Sequence, residues 1–158
     1  MIATETVRLN LGSGRYPLDD WTNVDLHCDA DILADFRNLA FDDVETIRMS
    51  HLLEHISWRE TDDVLRQVRG WLRVGGVLQV EVPDMDAILK LGTVHPLWHK
   101  YVYGDQSHEG EYHRAGFTRL TLQAALVSAG FQHVEVKRFI SDHPGREGMP
   151  VLQAVATR

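Results

Sequence analysis

The sequence is poor in cysteine and in basic residues, and it has no long hydrophobic run. Cys28 is the single cysteine among 158 residues, so no disulfide can form within them, and this fits a reducing compartment. No apolar stretch reaches the roughly 20 residues that a membrane-spanning helix needs. Residues 1–6 lack the basic and apolar regions of a secretion signal. We therefore expect a cytoplasmic protein without a membrane span.

The charge balance is acidic. Sixteen Lys and Arg stand against 23 Asp and Glu, which gives a formal net charge of −7 with neutral His. Non-specific nucleic-acid binding requires a basic surface, so we do not expect it here. The length and the 44% hydrophobic content predict one globular domain spanning residues 1–158. Nine histidines are a high number, and some of them call for a functional explanation.

Predicted strands alternate with predicted helices, which is typical of α/β proteins. Strands are expected at 7–11, 23–26, 32–35, 46–50 and 76–82, and an antiparallel hairpin at 134–140 and 151–157. The first three strands are too close in sequence for crossover helices. The N-terminal helices are therefore expected to be reduced, and the third strand to be vestigial.

Two helices have recognisable ends. The first is predicted at 58–73, with Ser57 and Glu60 as a capping box and the Gly75-Gly76 pair ending it. The second is predicted at 119–129, with Thr118 as N-cap and Gly130 as the stop. Asp84 is interpreted as the N-cap of a further helix that starts near residue 85.

Two glycines follow the first strand, and an acid ends the second. Gly12 and Gly14 flank Ser13, and glycine permits a positive φ and the close approach of a ligand to the backbone. Asp25 closes the second strand, where a carboxylate can accept hydrogen bonds from both hydroxyls of a ribose. These features indicate a nucleoside-binding edge on a parallel sheet.

Six short blocks extend this pattern along almost the whole chain. They are LNLGSG (9–14), NVD (23–25), ADFRNLAF (34–41), SHLLEH (50–55), WLRVGG (71–76) and AGF (129–131). Their order and spacing resemble those of compact class I S-adenosylmethionine-dependent methyltransferases. The resemblance implies a Rossmann-like, mostly parallel sheet with an antiparallel C-terminal hairpin. Asn10 departs from it, because the family usually has an acid there, and a third glycine is absent.

The resemblance also implies S-adenosyl-L-methionine as cofactor and a set of residues that bind it. The glycine loop would pack against the methionine part and offer amide donors to its carboxylate. An acid would bind the ribose, and a second acid with the residue after it would bind the adenine. The expected cofactor-binding residues are Gly12, Ser13, Gly14, Asp25, Leu26, Asp35, Phe36, Ser50 and His51.

Residues 101–117 lie where the family builds its substrate lid. They are rich in polar aromatic residues and glycine, which suits a closing cover. Methyl transfer to a hydroxyl or amine benefits from a base that titrates near neutral pH, and histidine suits this role. The candidates are His113, His51 and His108. The predicted function is methyl transfer to a small-molecule or glycan-type acceptor.

Other functions remain open. His51 and His55 belong to an H-x-x-E-H pattern that some zinc hydrolases carry on a helix. The pattern follows a strand here and no motif supplies a third ligand, so we expect no bound metal. The chain could instead be a non-catalytic S-adenosylmethionine-binding protein, or an interaction subunit that shares only the fold. A homodimer could cover apolar surface left by the missing helices.

Overall fold

A computed structural model describes residues 7–92, 95–142 and 146–158. The N-terminal residues 1–6, on which the expectation about secretion rests, lie outside these ranges. One seven-stranded sheet has the order β3-β2-β1-β4-β5-β7-β6. Its strands are β1 (Arg8–Leu11), β2 (Thr22–Asp25), β3 (Ile32–Leu33), β4 (Val44–Ser50), β5 (Leu72–Pro83), β6 (Gln132–Ile140) and β7 (Pro150–Thr157).

The pairing of the strands confirms the predicted sheet. The pairs β1–β2, β1–β4, β2–β3 and β4–β5 are parallel. Strand β7 is antiparallel to both β5 and β6, so the C-terminal hairpin closes one side of the sheet. Strand β3 has two residues, which agrees with a vestigial third strand.

Four α-helices accompany the sheet in the described ranges. They are α1 (Thr61–Trp71), α2 (Met85–Leu91), α3 (Trp98–Tyr103) and α4 (Arg119–Ser128). Short 3-10 helices occur at Phe36–Asn38, Leu53–His55 and Glu109–Glu111. No helix lies between β1 and β2 or between β2 and β3, which confirms the reduced N-terminal half. Within the same residues, no helix has the length and apolar character that crossing a bilayer requires.

The predicted ends of α1 were wrong, whereas those of α4 are confirmed. Residues 57–60 form a turn, in which the Glu60 N–H donates to the Ser57 carbonyl at 2.8 Å, so the side chains make no capping box. The chain passes from α1 directly into β5, which contains the glycine pair. Thr118 caps α4 as predicted, because its hydroxyl accepts the Thr121 N–H at 3.2 Å. The expected N-cap role of Asp84 is also confirmed.

The core lies between the sheet and helices α1 and α4. Leu9, Ile47 and Leu78 of the central strands are fully buried, and Leu65 and Leu122 of the two helices pack in the same cluster. This packing fixes the parallel strands β1, β2 and β4 side by side, so their carboxyl ends meet at one edge. Ligands bind at that edge in open α/β sheets.

Candidate active site

An open cleft of about 880 Å³ lies at the carboxyl ends of the parallel strands. Its walls include the glycine loop after β1, the ends of β2 and β4, and the segment 100–114. Every residue that the sequence nominated lines this cleft: Gly12, Ser13, Gly14, Asp25, Leu26, Asp35, Phe36, Ser50, His51, His108 and His113. The fold thus brings together residues that are spread over most of the chain.

The glycine loop is shaped by the end of β2. Gly12 and Gly14 have φ angles of +65° and +55°, which favour glycine. A Cβ on Gly12 would lie 2.8 Å from a methyl group of Leu52, whereas a Cβ on Gly14 would enter open space. The loop can therefore be approached closely at Gly14, while Gly12 is required by packing.

The amides of this loop are hydrogen-bonded within the protein, rather than left open as donors for a ligand carboxylate. The N–H groups of Gly12 and Ser13 both donate to the Val24 carbonyl, at 2.8 and 3.2 Å. The Gly14 N–H donates to Asp25 Oδ2 at 2.8 Å. The Ser13 hydroxyl is different, because it is buried at the cleft and has no hydrogen-bond partner among the described residues. A buried hydroxyl without a partner is costly, and a bound polar ligand would satisfy it.

Asp25 holds the loop as well as facing the cleft. Its Oδ1 accepts the N–H groups of His27 and Cys28 at 2.8 and 2.7 Å, and its Oδ2 accepts that of Gly14. Burial alone would raise the pKa of Asp25, but these backbone hydrogen bonds outweigh it and lower the pKa below its ordinary value. Asp25 is therefore a carboxylate at neutral pH.

Asp35 and Phe36 occupy the turn after β3. The Asp35 side chain caps the 3-10 helix and forms an ion pair with Arg37, with 2.7 Å between Oδ2 and Nη2. The hydrogen bond from Arg37 lowers the pKa of Asp35. Phe36 is 6% exposed; it belongs to the hydrophobic core and also lines the cleft. A ligand amine at Asp35 would share its carboxylate with Arg37.

His51 lies between two carboxylates. Its Nδ1 is 2.9 Å from Glu54 Oε1, and its Nε2 is 3.2 Å from Glu81 Oε1. Burial alone would lower the pKa of His51, but Glu54 and Glu81 together raise it above its ordinary value. Both ring nitrogens thus face carboxylates; the Nδ1 contact with Glu54 is a hydrogen bond, whereas the Nε2 contact with Glu81 is an ion-pair distance without hydrogen-bond geometry.

His108 is also engaged through both nitrogens. Its Nδ1 accepts the Gly110 N–H at 3.1 Å, and its Nε2 lies 3.5 Å from Glu111 Oε1. The ring packs edge-on against His27, with 5.0 Å between the centroids. His108 thus orders the segment around the 3-10 helix Glu109–Glu111, and its acceptor nitrogen is occupied.

His113 is the candidate base whose basic nitrogen remains free among the described residues. Its Nδ1 lies 3.2 Å from the Tyr101 carbonyl, which can only accept, so Nδ1 carries the proton and Nε2 the lone pair. Burial lowers the pKa of His113 below its ordinary value and favours the neutral ring.

Glu54 and His55, beside His113, are site residues that the sequence reasoning left out of the catalytic set. Burial alone would raise the pKa of Glu54, but the hydrogen bond from His51 and the neighbouring histidines lower it to about 2. His55 Nδ1 lies 3.2 Å from the Tyr112 carbonyl, and its ring packs edge-on against His113 at 5.0 Å. The H-x-x-E-H pattern contains Glu54 and His55, but it suggested the wrong partner for His55.

The alternative in which His51 and His55 bind zinc as a pair is not supported by the geometry. The zinc-hydrolase pattern depends on an α-helix, which places histidines at i and i+4 on one face, one turn apart. Here His51 has a φ of +51° and is followed by the 3-10 helix Leu53–His55. Among the described residues, one cluster of side chains could bind a metal ion, and it contains His55 but not His51.

Comparison with known proteins gives structural likeness without sequence likeness. No protein-family model and no curated protein matches the sequence. An S-adenosylmethionine-dependent methyltransferase from Archaeoglobus fulgidus is similar with a TM-score of 0.66 and 14% identity, over 97% of this chain and 86% of that one. One from Methanosarcina mazei has a TM-score of 0.66 and 16% identity, over 98% and 93%.

A third similar structure contains ligands. It is the 1,6-didemethyltoxoflavin-N1-methyltransferase of Burkholderia thailandensis, with bound 1,6-didemethyltoxoflavin and S-adenosylhomocysteine. The TM-score is 0.69 at 18% identity, over 96% of this chain and 70% of that one. At such identities the likeness concerns the fold. The chain therefore has the Rossmann-like fold of class I S-adenosylmethionine-dependent methyltransferases, as its sequence motifs predicted.

Proposed function

We propose that this protein binds S-adenosyl-L-methionine in the cleft and transfers its methyl group to a small-molecule or glycan-type acceptor. The observation that carries the proposal is that all of the nominated residues line one cleft at the carboxyl edge of the sheet. The buried Ser13 hydroxyl without a partner adds an independent reason to expect a polar ligand there.

The residues of the cleft suit the two ends of the cofactor differently. Asp25 is a carboxylate that can accept from ribose hydroxyls, and the apolar Phe36 lines the same cleft, where a purine would lie. The amides of the glycine loop are used internally, so a ligand carboxylate needs another partner. Arg48 lines the cleft and is half-buried, so its charge is screened less by water than that of an exposed arginine and attracts an anion more strongly.

The acceptor would lie toward the corner formed by Glu54, His55 and His113. When bound, the cofactor supplies an electrophilic methyl group on a sulfonium, so the protein must mainly align the acceptor. The free Nε2 of His113 can take a proton from an acceptor hydroxyl or amine. His51 is better suited to hold Glu54 in position than to act as a base, because both of its nitrogens face carboxylates.

Two measurements test the proposal. Calorimetric titration with S-adenosylhomocysteine should give one binding site per chain. Methyl-labelled S-adenosylmethionine, incubated with a panel of hydroxylated small molecules, amines and sugars, should label at least one of them. Absence of S-adenosylhomocysteine binding by the folded chain would refute the proposal. Binding without labelling in any acceptor class would favour a non-catalytic binding protein.

A further inference from the structure

Three side chains at the acceptor corner bring possible metal ligands together. One ligand atom each of Glu54, His55 and His113 lies within 4.8 Å of those of the other two. Two atoms bound at about 2.1 Å to one tetrahedral zinc ion lie about 3.4 Å apart. The three groups thus need to approach by up to about 1.4 Å to share an ion. No other such group occurs in residues 7–92, 95–142 and 146–158.

The two histidines are oriented as metal ligands are. Nδ1 of His55 donates to the Tyr112 carbonyl, and Nδ1 of His113 donates to the Tyr101 carbonyl, each at 3.2 Å. Metal-binding histidines commonly donate their second ring nitrogen to a carbonyl or carboxylate, which fixes the ring and leaves the other lone pair for the ion. In both rings Nε2 therefore keeps its lone pair and is the atom that can bind a metal ion.

Glu54 supplies an oxygen that lacks a partner. Its side chain is 1% exposed, and its Oε1 is bound by His51 at 2.9 Å. Its Oε2 is buried and makes no hydrogen bond among the described residues. An unpartnered carboxylate oxygen in a protein interior is costly. Edge-on packing of His55 and His113 explains why the two rings are close, but it does not explain why Glu54 Oε2 is buried without a hydrogen-bond partner.

Backbone hydrogen bonds position Glu54 and His113. The Glu54 carbonyl accepts the N–H groups of Arg114 and Ala115 at 2.7 and 3.0 Å. The His113 N–H donates to the Tyr103 carbonyl at 3.1 Å. The corner is thus positioned by main-chain hydrogen bonds, which is the support that a preorganised site needs.

We propose that Glu54, His55 and His113 bind a divalent transition-metal cation such as Zn²⁺, through one carboxylate oxygen and two imidazole nitrogens. Nitrogen and oxygen donors suit zinc and its first-row neighbours. Three protein ligands leave a coordination position open, and all three residues line the cleft. The inference departs from the sequence-based expectation of no bound metal.

The cation would change what the corner can do. A metal-bound His113 has no lone pair for a proton, so cation binding and its action as a base exclude each other. The open position would instead take an oxygen of a molecule in the cleft and lower the pKa of a bound hydroxyl. The metal site does not depend on the proposed methyl transfer, because its test uses neither cofactor nor acceptor.

The test is zinc binding by the full chain. Protein stripped with a chelator is dialysed against buffered Zn²⁺, and zinc per chain is measured by mass spectrometry. We expect one zinc per chain, and a visible absorption band when Co²⁺ replaces zinc. His55→Gln and His113→Gln should each weaken zinc binding by at least about 100-fold, because loss of second-shell partners alone costs 10- to 100-fold.

Two controls separate this corner from other zinc-binding groups in the cleft. His108→Gln and Cys28→Ser change residues that also line the cleft but lie outside the proposed ligand set. The zinc affinity of these two variants should stay within about twofold of that of the parent, a much smaller change than the loss expected of the ligand variants. Glu54→Gln should also weaken binding, and circular dichroism shows whether that variant folds; if it does not, the two histidine variants decide.

Three results would overturn the inference: no stoichiometric zinc, unchanged affinity in both histidine ligand variants, or equal loss in His108→Gln or Cys28→Ser. S-adenosylhomocysteine affinity is measured on the same zinc-free samples. Zinc-negative protein that binds S-adenosylhomocysteine refutes the metal site alone, whereas zinc-positive protein that does not bind it refutes the proposed cofactor.

Discussion

Replacement of Asp25 by alanine should weaken both the glycine loop and cofactor binding. The carboxylate accepts three backbone N–H groups, from Gly14, His27 and Cys28, at 2.7–2.8 Å. Loss of a charged hydrogen-bond partner costs a ligand about 1.5–3 kcal/mol, which corresponds to a fall in S-adenosylhomocysteine affinity of about 10- to 100-fold. Since the loop donors are also freed, the melting temperature should fall by about 4–10 °C.

A matched control separates the two effects. Asp31 also lies near β2, and its Oδ2 accepts the backbone and side-chain N–H groups of Asn23 at 2.8 and 3.0 Å. It is absent from the lining of the cleft. Asp31→Ala should therefore lower the melting temperature but leave S-adenosylhomocysteine affinity within about twofold, far from the 10-fold loss expected of Asp25→Ala. Calorimetry on both folded variants is the assay, and unchanged affinity in Asp25→Ala would refute the ribose assignment.

The remaining predictions address packing, pH, mobility and chemistry. Gly12→Ala should lower the free energy of unfolding by more than about 1 kcal/mol, measured by urea denaturation, because of its positive φ and the close approach of Leu52. Folding lowers the pKa of Asp25, so the ionised side chain stabilises the folded state above pH 3.8, and this contribution is lost as the pH falls below that value. The difference in free energy of unfolding between the parent and Asp25→Asn should therefore shrink below pH 3.8. Residues 105–109 are exposed and should exchange amide hydrogens quickly in the free protein and slowly with cofactor and acceptor bound; equal exchange in both states would exclude a lid. His113→Gln should lower turnover and leave S-adenosylhomocysteine affinity nearly unchanged, and unaltered turnover would remove His113 from the chemistry.

The sequence predicted features that depend on local patterns. Apolar runs predicted the strands, and short connections predicted the missing N-terminal helices. Thr118 was identifiable as an N-cap because its hydroxyl bonds within one turn. Ser57 and Glu60 matched the same kind of pattern, yet the backbone at these residues forms a turn and α1 begins at Thr61. A capping pattern reports which side chains are able to cap, and the local backbone decides whether they do.

The features that could not be predicted depend on distant partners. The Gly12 and Ser13 amides donate to the Val24 carbonyl in the neighbouring strand, a partner that the local sequence of the glycine loop does not reveal. The free nitrogens of His55 and His113 are decided by carbonyls of Tyr112 and Tyr101. The sequence shows which histidines exist, but the tautomer of each depends on a main-chain oxygen that folding brings to it.

The segment between α3 and α4 is closed at its base, and this bears on how the protein can diversify. Gly104 and Tyr112 form an antiparallel bridge, and a Cβ on Gly104 would lie 1.9 Å from the Glu111 carbonyl oxygen. Residues 105–111 therefore form a loop whose two ends are joined. Insertions or deletions within such a loop cost little loop-closure entropy, and they leave its joined ends in place. This wall of the cleft can thus change in length and composition over evolution while the corner of Glu54 and His113 keeps its geometry.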